Sequence, residues 1–216
     1  CFNAKSSFTA WIIALILSIY LYKRNKNYDR WNAGFILTFT FIQFLEGGVW
    51  LSLKYRETTI NSILTTFILI SLLYQPFTQS ALGYMFTGSP ILKYSTLAYA
   101  LIIGYTLFRI ATTPMSNFSS TPGEKGHLVW DDKTHPNDFL GGGLNFIPYM
   151  YLAGLFLPLL YQGWRGIPLI IVGLTTAVYS LGVVGAPKYS CPCGYREFGS
   201  YWCFTSVIYA LVAILL

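Results

Sequence analysis

Charged residues are scarce in this chain: they make up 10% of its 216 residues, against about a quarter in an ordinary soluble domain. Histidine is scarcer still, with two residues, both in one predicted loop. A membrane haem held by a histidine pair and a three-histidine zinc site are therefore excluded. The sequence also lacks the HExxH, GxSxG, P-loop and GxGxxG motifs. We accordingly expect no cofactor.

Hydrophobic residues, by contrast, make up 54% of the chain and aromatic residues 18%. They occur in blocks of roughly 20, the length that a helix needs to cross about 30 Å of hydrocarbon. The pattern predicts a single domain, 1–216, that is an all-α integral membrane protein with a seven-transmembrane helix bundle. The predicted spans are 8–22, 31–53, 60–86, 91–110, 144–162, 167–185 and 198–216.

Loop charge predicts the orientation of the bundle. The connection 23–30 holds four basic residues in eight, and the positive-inside rule keeps such a loop in the cytoplasm. This places the N-terminus outside and the C-terminus inside. The net charge of +6 is spread over the loops, so we expect membrane lipids as partners and no nucleic acid. The sequon that starts at Asn117 is consistent with an outer position of its loop.

The longest predicted loop, residues 111–143, is rich in Pro, Gly, Ser and Asp. Loops of this length are usually functional or disordered. It contains both histidines, with Trp130 between them. We expect the loop to form a polar and aromatic lid over the outer half of the second span.

Glu46 is the most informative residue, because it is a carboxylate within the second apolar run. A charged side chain near the membrane centre costs roughly 2.5–3.5 kcal/mol on insertion scales, so it usually has a partner or a function. Gln43, Glu46 and Trp50 fall on one helical face. Gly47 and Gly48 are expected to leave room beside the carboxylate for another helix or for a ligand.

Two interpretations of Glu46 remain open. In the first, Glu46 forms a buried ion pair with Arg109, at the end of span four, which only fixes packing. In the second, Glu46 is the central acid of a ligand or proton site. Gln43 is then its hydrogen-bond partner, Trp50 an aromatic wall, and Arg109 and His127 the candidate counter-charges. The sequence indicates neither a reaction nor a catalytic residue.

Two glutamines, Gln75 and Gln79, flank Pro76 in the third span. Proline in a membrane helix causes a kink and frees a backbone carbonyl. The glutamines either line a cavity or hold neighbouring helices together by hydrogen bonds.

The four cysteines all fall on the predicted outer side. Cys191 and Cys193 lie in the last outer loop, Cys203 begins span seven, and Cys1 is the first residue. On an oxidising face this set predicts two disulfides, in which Cys191 and Cys193 each pair with Cys1 or Cys203. The alternative is a metal site made by the C-x-C pair with Cys1 or His127.

The start of the chain, residues 1–8, resembles a family of uncharacterised integral membrane proteins of bacteria and large DNA viruses. Members of that family open with Met-Cys-Phe-Ser-Ala, carry Gln-x-x-Glu-Gly-x-x-Trp in the second span and have Gly-Ser-x-Trp-Cys near the end. The resemblance implies seven spans, a methionine removed before Cys1 and a recurring outer set of Cys1, Glu46, Trp50, Trp202 and Cys203. It implies no activity. The matching positions in the two motifs are Gln43, Glu46, Gly47, Trp50, Gly199, Trp202 and Cys203.

These patterns favour one function and leave two alternatives. The favoured function is the binding or processing of a small molecule or lipid in an outer-facing polar pocket around Glu46. The first alternative is an ion or proton path from Glu46 past Gln75 and Gln79 to the inner side. The second is a receptor-like or structural membrane protein whose polar residues only pack.

Overall fold

The computed structural model describes residues 2–132, 147–184 and 193–216. Eight α-helices, two 3-10 segments and one hairpin follow one another in these ranges. The elements are α1 (Ala4–Arg24), α2 (Asp29–Tyr55), α3 (Thr58–Thr87), α4 (Pro90–Thr112), a 3-10 turn (Met115–Asn117), β1 (Phe118–Pro122), β2 (Leu128–Asp132), α5 (Ile147–Phe156), a 3-10 segment (Leu157–Arg165), α6 (Gly166–Val184), α7 (Cys193–Thr205) and α8 (Val207–Leu215).

Six helical stretches in the described ranges are long and apolar enough to cross a membrane. The first four are α1 to α4, which match the first four predicted spans. The last is Glu197–Leu215, which joins α7 and α8. The protein is thus a helical chain with the composition of a multi-pass membrane protein, as the sequence predicts.

The remaining stretch, Met150–Val184, covers 35 residues and includes most of predicted spans five and six. Its path reverses at Gly163, whose φ of 62° and ψ of −139° are not helical. Phe156 and Gly173 confirm the reversal: a Cβ on Gly173 would lie 2.4 Å from the Phe156 ring. In a straight helix the two residues would stand about 25 Å apart. The chain therefore folds back on itself between Phe156 and Gly173.

Short connections make the first four helices antiparallel neighbours. Asn3 caps α1, because its Oδ1 accepts a hydrogen bond of 2.9 Å from the backbone N–H of Ser6. The helices α1, α2 and α3 end at residues in the left-handed region, Asn25, Arg56 and Gly88, with φ of 50°, 60° and 68°.

Helix α2 lies at the centre of the bundle. It packs against α1, α3, α7 and α8, and 56% of its apolar window is buried, against 17% for α4. Helix α4 packs mainly on α3 and turns most of its surface outward. The polar residues of α2 are therefore the ones that the bundle encloses.

The predicted lid contains regular structure. Strands β1 and β2 pair antiparallel, from Phe118 opposite Asp132 to Pro122 opposite Leu128. The turn closes through Gly123, whose N–H donates to the carbonyl of His127 at 2.7 Å, and passes Gly126 at a φ of 82°. Residues 118–132 thus form a hairpin rather than an irregular loop, and residues 133–143 lie outside the described ranges.

Candidate functional site

Glu46 is completely buried in the half of α2 that lies near the hairpin. Its carboxyl faces the hydroxyl of Ser200 and the indole N–H of Trp130, and it lies close to the thiol of Cys203. Helix α7 supplies Ser200 and Cys203, and strand β2 supplies Trp130. The two motif stretches from the second span and the end of the chain therefore meet at one buried polar cluster.

The space beside the two glycines of α2 is filled by protein. A Cβ on Gly47 would lie 2.6 Å from the ring of Phe8 in α1, and a Cβ on Gly48 would lie 2.8 Å from Leu64 in α3. Of the two occupants that the sequence left open at this place, neighbouring helices are the ones observed. A ligand at Glu46 has to approach from the side of Ser200 and Trp130.

The other predicted site residues of α2 lie as their spacing indicates. Gln43 is completely buried one turn before Glu46, and Trp50 is half-buried one turn after it. Trp50 packs against the main hydrophobic core. The aromatic ring that faces the Glu46 carboxyl is that of Trp130.

Arg109 lies in the last turn of α4 and is half-buried. Ser200 and Trp130 are among the side chains that act on the Glu46 carboxyl. Helix α4, which carries Arg109, packs mainly on α3. The ion pair between Glu46 and Arg109 stays a prediction.

His127 lies in the hairpin turn and is 1% exposed. Its ring packs between Phe2, at a centroid distance of 4.2 Å, and Tyr201, at 4.5 Å. Burial lowers the pKa of His127 from 6.5 to about 4, because the charged form loses its hydration. An imidazole with this pKa is neutral at pH 7.

Glu197 is a second buried carboxylate of the site, and the sequence analysis missed it. It is 2% exposed, and it accepts hydrogen bonds from the backbone N–H groups of His127, at 2.9 Å, and Lys125, at 3.0 and 3.2 Å. Gly123 makes room for it, since a Cβ there would lie 2.1 Å from the carboxyl carbon. Its position one residue before the predicted span 198–216 was the available signal.

Helix α3 holds the hairpin from the other side. The Asn61 amide donates to the carbonyl of Ser120 at 3.0 Å and accepts from its N–H at 2.8 Å, as a neighbouring strand would. The hydroxyls of Thr65 and Ser120 also lie 2.7 Å apart. Together with Glu197, these contacts hold the hairpin in place as a cover over the Glu46 cluster.

Several buried polar atoms near the hairpin end have no hydrogen-bond partner among the residues that the structure describes. They include Nδ1 of His127, Nε1 of Trp130, Oγ of Ser7 and Nε1 of Trp11. Such atoms are rare in proteins and usually indicate a bound water, ion or ligand. The Trp130 N–H is notable, because it lies close to the Glu46 carboxyl and yet makes no hydrogen bond of ordinary geometry with a described residue.

An aromatic layer lies below the Glu46 cluster. Trp202 stacks on Phe198 at 5.4 Å and contacts Phe39 at 5.8 Å and Tyr151 at 6.4 Å. Phe39 precedes Glu46 by seven residues, or about 10 Å of helical rise. The layer separates Glu46 from a small apolar cavity of about 20 Å³ between Phe39 and Tyr209.

Gln75 and Gln79 both hold helices together. Gln79 accepts from Trp31 Nε1 at 2.9 Å and donates to the carbonyl of Leu155 at 3.1 Å. That carbonyl needs a donor, because Pro158, three residues further on, has no N–H to complete a 3-10 turn. Gln75 accepts from the hydroxyl of Tyr151 and lies 3.4 Å from the Phe39 carbonyl.

Of the four cysteines, only Cys203 has a described side chain. It is buried and carries a free thiol. Cys1 and Cys191 lie outside the described residues, and so does any disulfide that involves them. In the ranges that the structure describes, no group of three or more His, Cys, Asp or Glu side chains has an arrangement suited to a metal ion.

Comparison with known proteins adds no further assignment: no family model, curated protein or solved structure matches this chain.

Proposed function

We propose that this chain is a seven-span membrane protein that binds a small polar molecule or a lipid headgroup at the Glu46 cluster beneath the hairpin. The observation that carries the proposal is a pair of buried atoms, Trp130 Nε1 and His127 Nδ1, that have no hydrogen-bond partner among the described residues and lie in the hairpin that covers a buried carboxyl. A polar atom of a ligand beside Trp130 would accept a hydrogen bond from its N–H and would lie within reach of the Glu46 carboxyl.

The chain path and the charge distribution support seven spans with the N-terminus outside. The chain folds back at Gly163, so counting the two parts of Met150–Val184 as separate crossings turns the six apolar stretches into seven spans. The α1–α2 connection carries Lys23, Lys26 and Arg30. The positive-inside rule favours an inner position for this connection and hence an outer position for the hairpin.

The size of the site restricts the ligand. Gly47, Gly48 and Gly199 are all closed by neighbouring side chains, and the Trp130 ring would lie 2.6 Å from a Cβ on Gly199. The Trp202 layer closes the inner end. Only a small molecule, or the tip of a headgroup, fits while the hairpin is in place.

The test is native mass spectrometry of the purified full chain, released gently from detergent, together with the Trp130→Phe variant. Tyr94→Phe is the control, because Tyr94 is 68% exposed and lies near the start of α4, at the opposite end of the bundle. We expect a bound small molecule or lipid on the wild type and on Tyr94→Phe, and a loss of about tenfold or more in occupancy on Trp130→Phe. Equal occupancy in all three proteins, or none in the wild type, would overturn the proposal in favour of a structural role.

A second candidate function, proton transport, is favoured by one observation: buried polar side chains continue from Glu46 towards the far end of α2. Cys203 lies beside both Glu46 and Tyr151, and the Tyr151 hydroxyl donates to Gln75. One turn further on α3, Gln79 contacts Trp31. At the end of the row, Tyr209 lies 3.4 Å from Asn32.

A matched pair of tyrosine variants tests this second candidate. Tyr151→Phe removes a hydroxyl within the row of polar side chains, and Tyr99→Phe removes one outside it, which donates to the Met150 carbonyl at 2.7 Å. Each protein is reconstituted into liposomes that contain a pH-sensitive dye. The wild type should give a proton flux above that of protein-free liposomes, and Tyr151→Phe, but not Tyr99→Phe, should lower this flux at least about tenfold. Absence of flux in the wild type, or equal flux in both variants, rejects transport and leaves the binding proposal untouched.

A further inference from the structure

The end of the bundle opposite the hairpin has a strong excess of positive charge. Four segments meet at this end: the α1–α2 connection, the α3–α4 connection, the Gly163 turn and the end of α8. Arg24 donates to the Ala213 carbonyl at 3.2 Å, and the Asn32 and Gln162 amides exchange hydrogen bonds of 3.0 and 3.2 Å. Within the described ranges, this end carries one acid, Asp29, and the cations Lys23, Arg24, Lys26, Arg30, Lys93 and Arg165.

The carboxylate of Asp29 is paired with groups of the protein itself. Asp29 is 3% exposed, accepts from Arg24 at 2.7 and 2.8 Å, and accepts from the backbone N–H of Lys26 at 2.8 Å. It therefore neutralises Arg24 and fixes the connection. The side chains of Lys23, Lys26 and Arg30 remain exposed at its surface.

Arg165 joins this group from the Gly163 turn. With the Asn27 amide oxygen turned towards it, Asn27 accepts from Arg165 Nη2 at 2.9 Å. This contact brings the guanidinium to the α1–α2 connection. The guanidinium has five N–H donors in a planar fork that matches phosphate, so donors remain for an anion.

Aromatic side chains place the same group at the level of lipid headgroups. The Arg165 guanidinium lies 5.2 Å from the ring of Trp164, which is 67% exposed. The Arg30 guanidinium lies 4.9 Å from the ring of Tyr22, which is 58% exposed. Exposed Trp and Tyr mark the membrane–water interface. Towards the membrane centre the surface is apolar and exposed, as at Ile19 and Ile167.

We propose that Lys26, Arg30, Asn27 and Arg165 form a binding site for the phosphate of an anionic membrane lipid, at the junction of the α1–α2 connection and the Gly163 turn. The cations hold the phosphate, Trp164 and Tyr22 flank the glycerol region, and the acyl chains lie on the apolar helix surface below. A soluble anion would gain only the first of these contacts, so the ligand is a lipid.

The experiment compares lipid enrichment around the full-length protein in nanodiscs of phosphatidylcholine mixed with phosphatidylglycerol. The test variant is Lys26→Gln with Arg165→Gln. The control is Lys54→Gln with Arg56→Gln, which removes the same charge from exposed residues at the other end of α2. Retained lipid is counted by mass spectrometry after stepwise removal of the bulk lipid.

We expect the wild type and the control to retain phosphatidylglycerol, and the test variant to lose roughly fivefold in retention for each cation removed. Retention should fall as salt is raised. Equal losses in the two double variants would show a general charge effect and overturn the site. Full competition by inorganic phosphate would identify a soluble-anion site instead of a lipid site, which also overturns the proposal.

Discussion

The Glu197 carboxylate accepts a hydrogen bond of 2.9 Å from the backbone N–H of His127, and this contact ties α7 to the hairpin. The same carboxylate bonds Lys125 N–H. A buried carboxylate that accepts backbone N–H groups gains charge-assisted hydrogen bonds, which are stronger than neutral ones. The cover over the Glu46 cluster is thus held by one acidic side chain at the start of the final span.

Replacing Glu197 with Gln should lower the free energy of unfolding by about 1–3 kcal/mol, because a charge and one acceptor oxygen are lost from a buried set of hydrogen bonds. The measurement is an SDS titration in mixed micelles. Glu124→Gln is the control, since Glu124 is exposed in the same turn. If both variants unfold at the same SDS fraction as the wild type, Glu197 does not hold the hairpin.

A methyl group at position 199 should disturb the site. In Gly199→Ala the new Cβ meets the Trp130 ring at 2.6 Å, which should cost about 1–3 kcal/mol in unfolding free energy and shift the fluorescence of the protein. Gly104→Ala, on a helix surface with nothing within 4 Å, should be neutral or stabilise by up to about 1 kcal/mol. Equal effects of the two variants would contradict the close contact of Trp130 with α7.

Stability should depend on pH through His127. Its pKa is about 4 in the folded protein and near 6.5 when unfolded, so the unfolded chain binds the extra proton first as pH falls. The neutral ring contributes at most about 3 kcal/mol to the free energy of unfolding. This contribution is fully present above pH 6.5 and is lost as the pH falls from about 6.5 to 4. Thermal unfolding of the wild type and His127→Gln across this range is the measurement. A slope that persists unchanged in the variant would assign the effect to another group.

The Asn32–Gln162 pair should behave as a closed hydrogen-bonded unit. Each amide gives the other a donor and an acceptor, so Asn32→Leu or Gln162→Leu alone leaves a buried amide without its partner. Each single change should cost about 1–2 kcal/mol, and the double change should cost less than the sum of the two. Additive losses in a double-mutant cycle would show that the two amides act independently.

The helices could be predicted from the sequence, because apolar blocks of span length define them. The buried position of Glu46 was predictable as well, because it is a lone carboxylate within such a block. The reversal at Gly163 was also predictable, as the gap between predicted spans five and six, residues 163–166, contains Gly163, Arg165 and Gly166.

The parts of the site that the sequence did not reveal depend on long-range contacts. Residues 118–132 have weak strand alternation, and their hairpin is fixed by Asn61 and Glu197, which are far away in the chain. The sequence left open whether another helix or a ligand lies beside Gly47, because nothing in it indicates that Phe8 fills this space. The burial of His127 by Phe2 and Tyr201 is a tertiary effect of the same kind.

The most direct measurement of the central claim is a high-resolution map of the purified full-length protein, inspected between Glu46, Trp130 Nε1 and His127 Nδ1. The account predicts non-protein density there, with a polar atom within about 3 Å of the Trp130 nitrogen and the Glu46 carboxyl. A direct, dry hydrogen bond between Trp130 and Glu46, with protein atoms filling the surrounding space, would contradict it and identify the cluster as part of the packing alone.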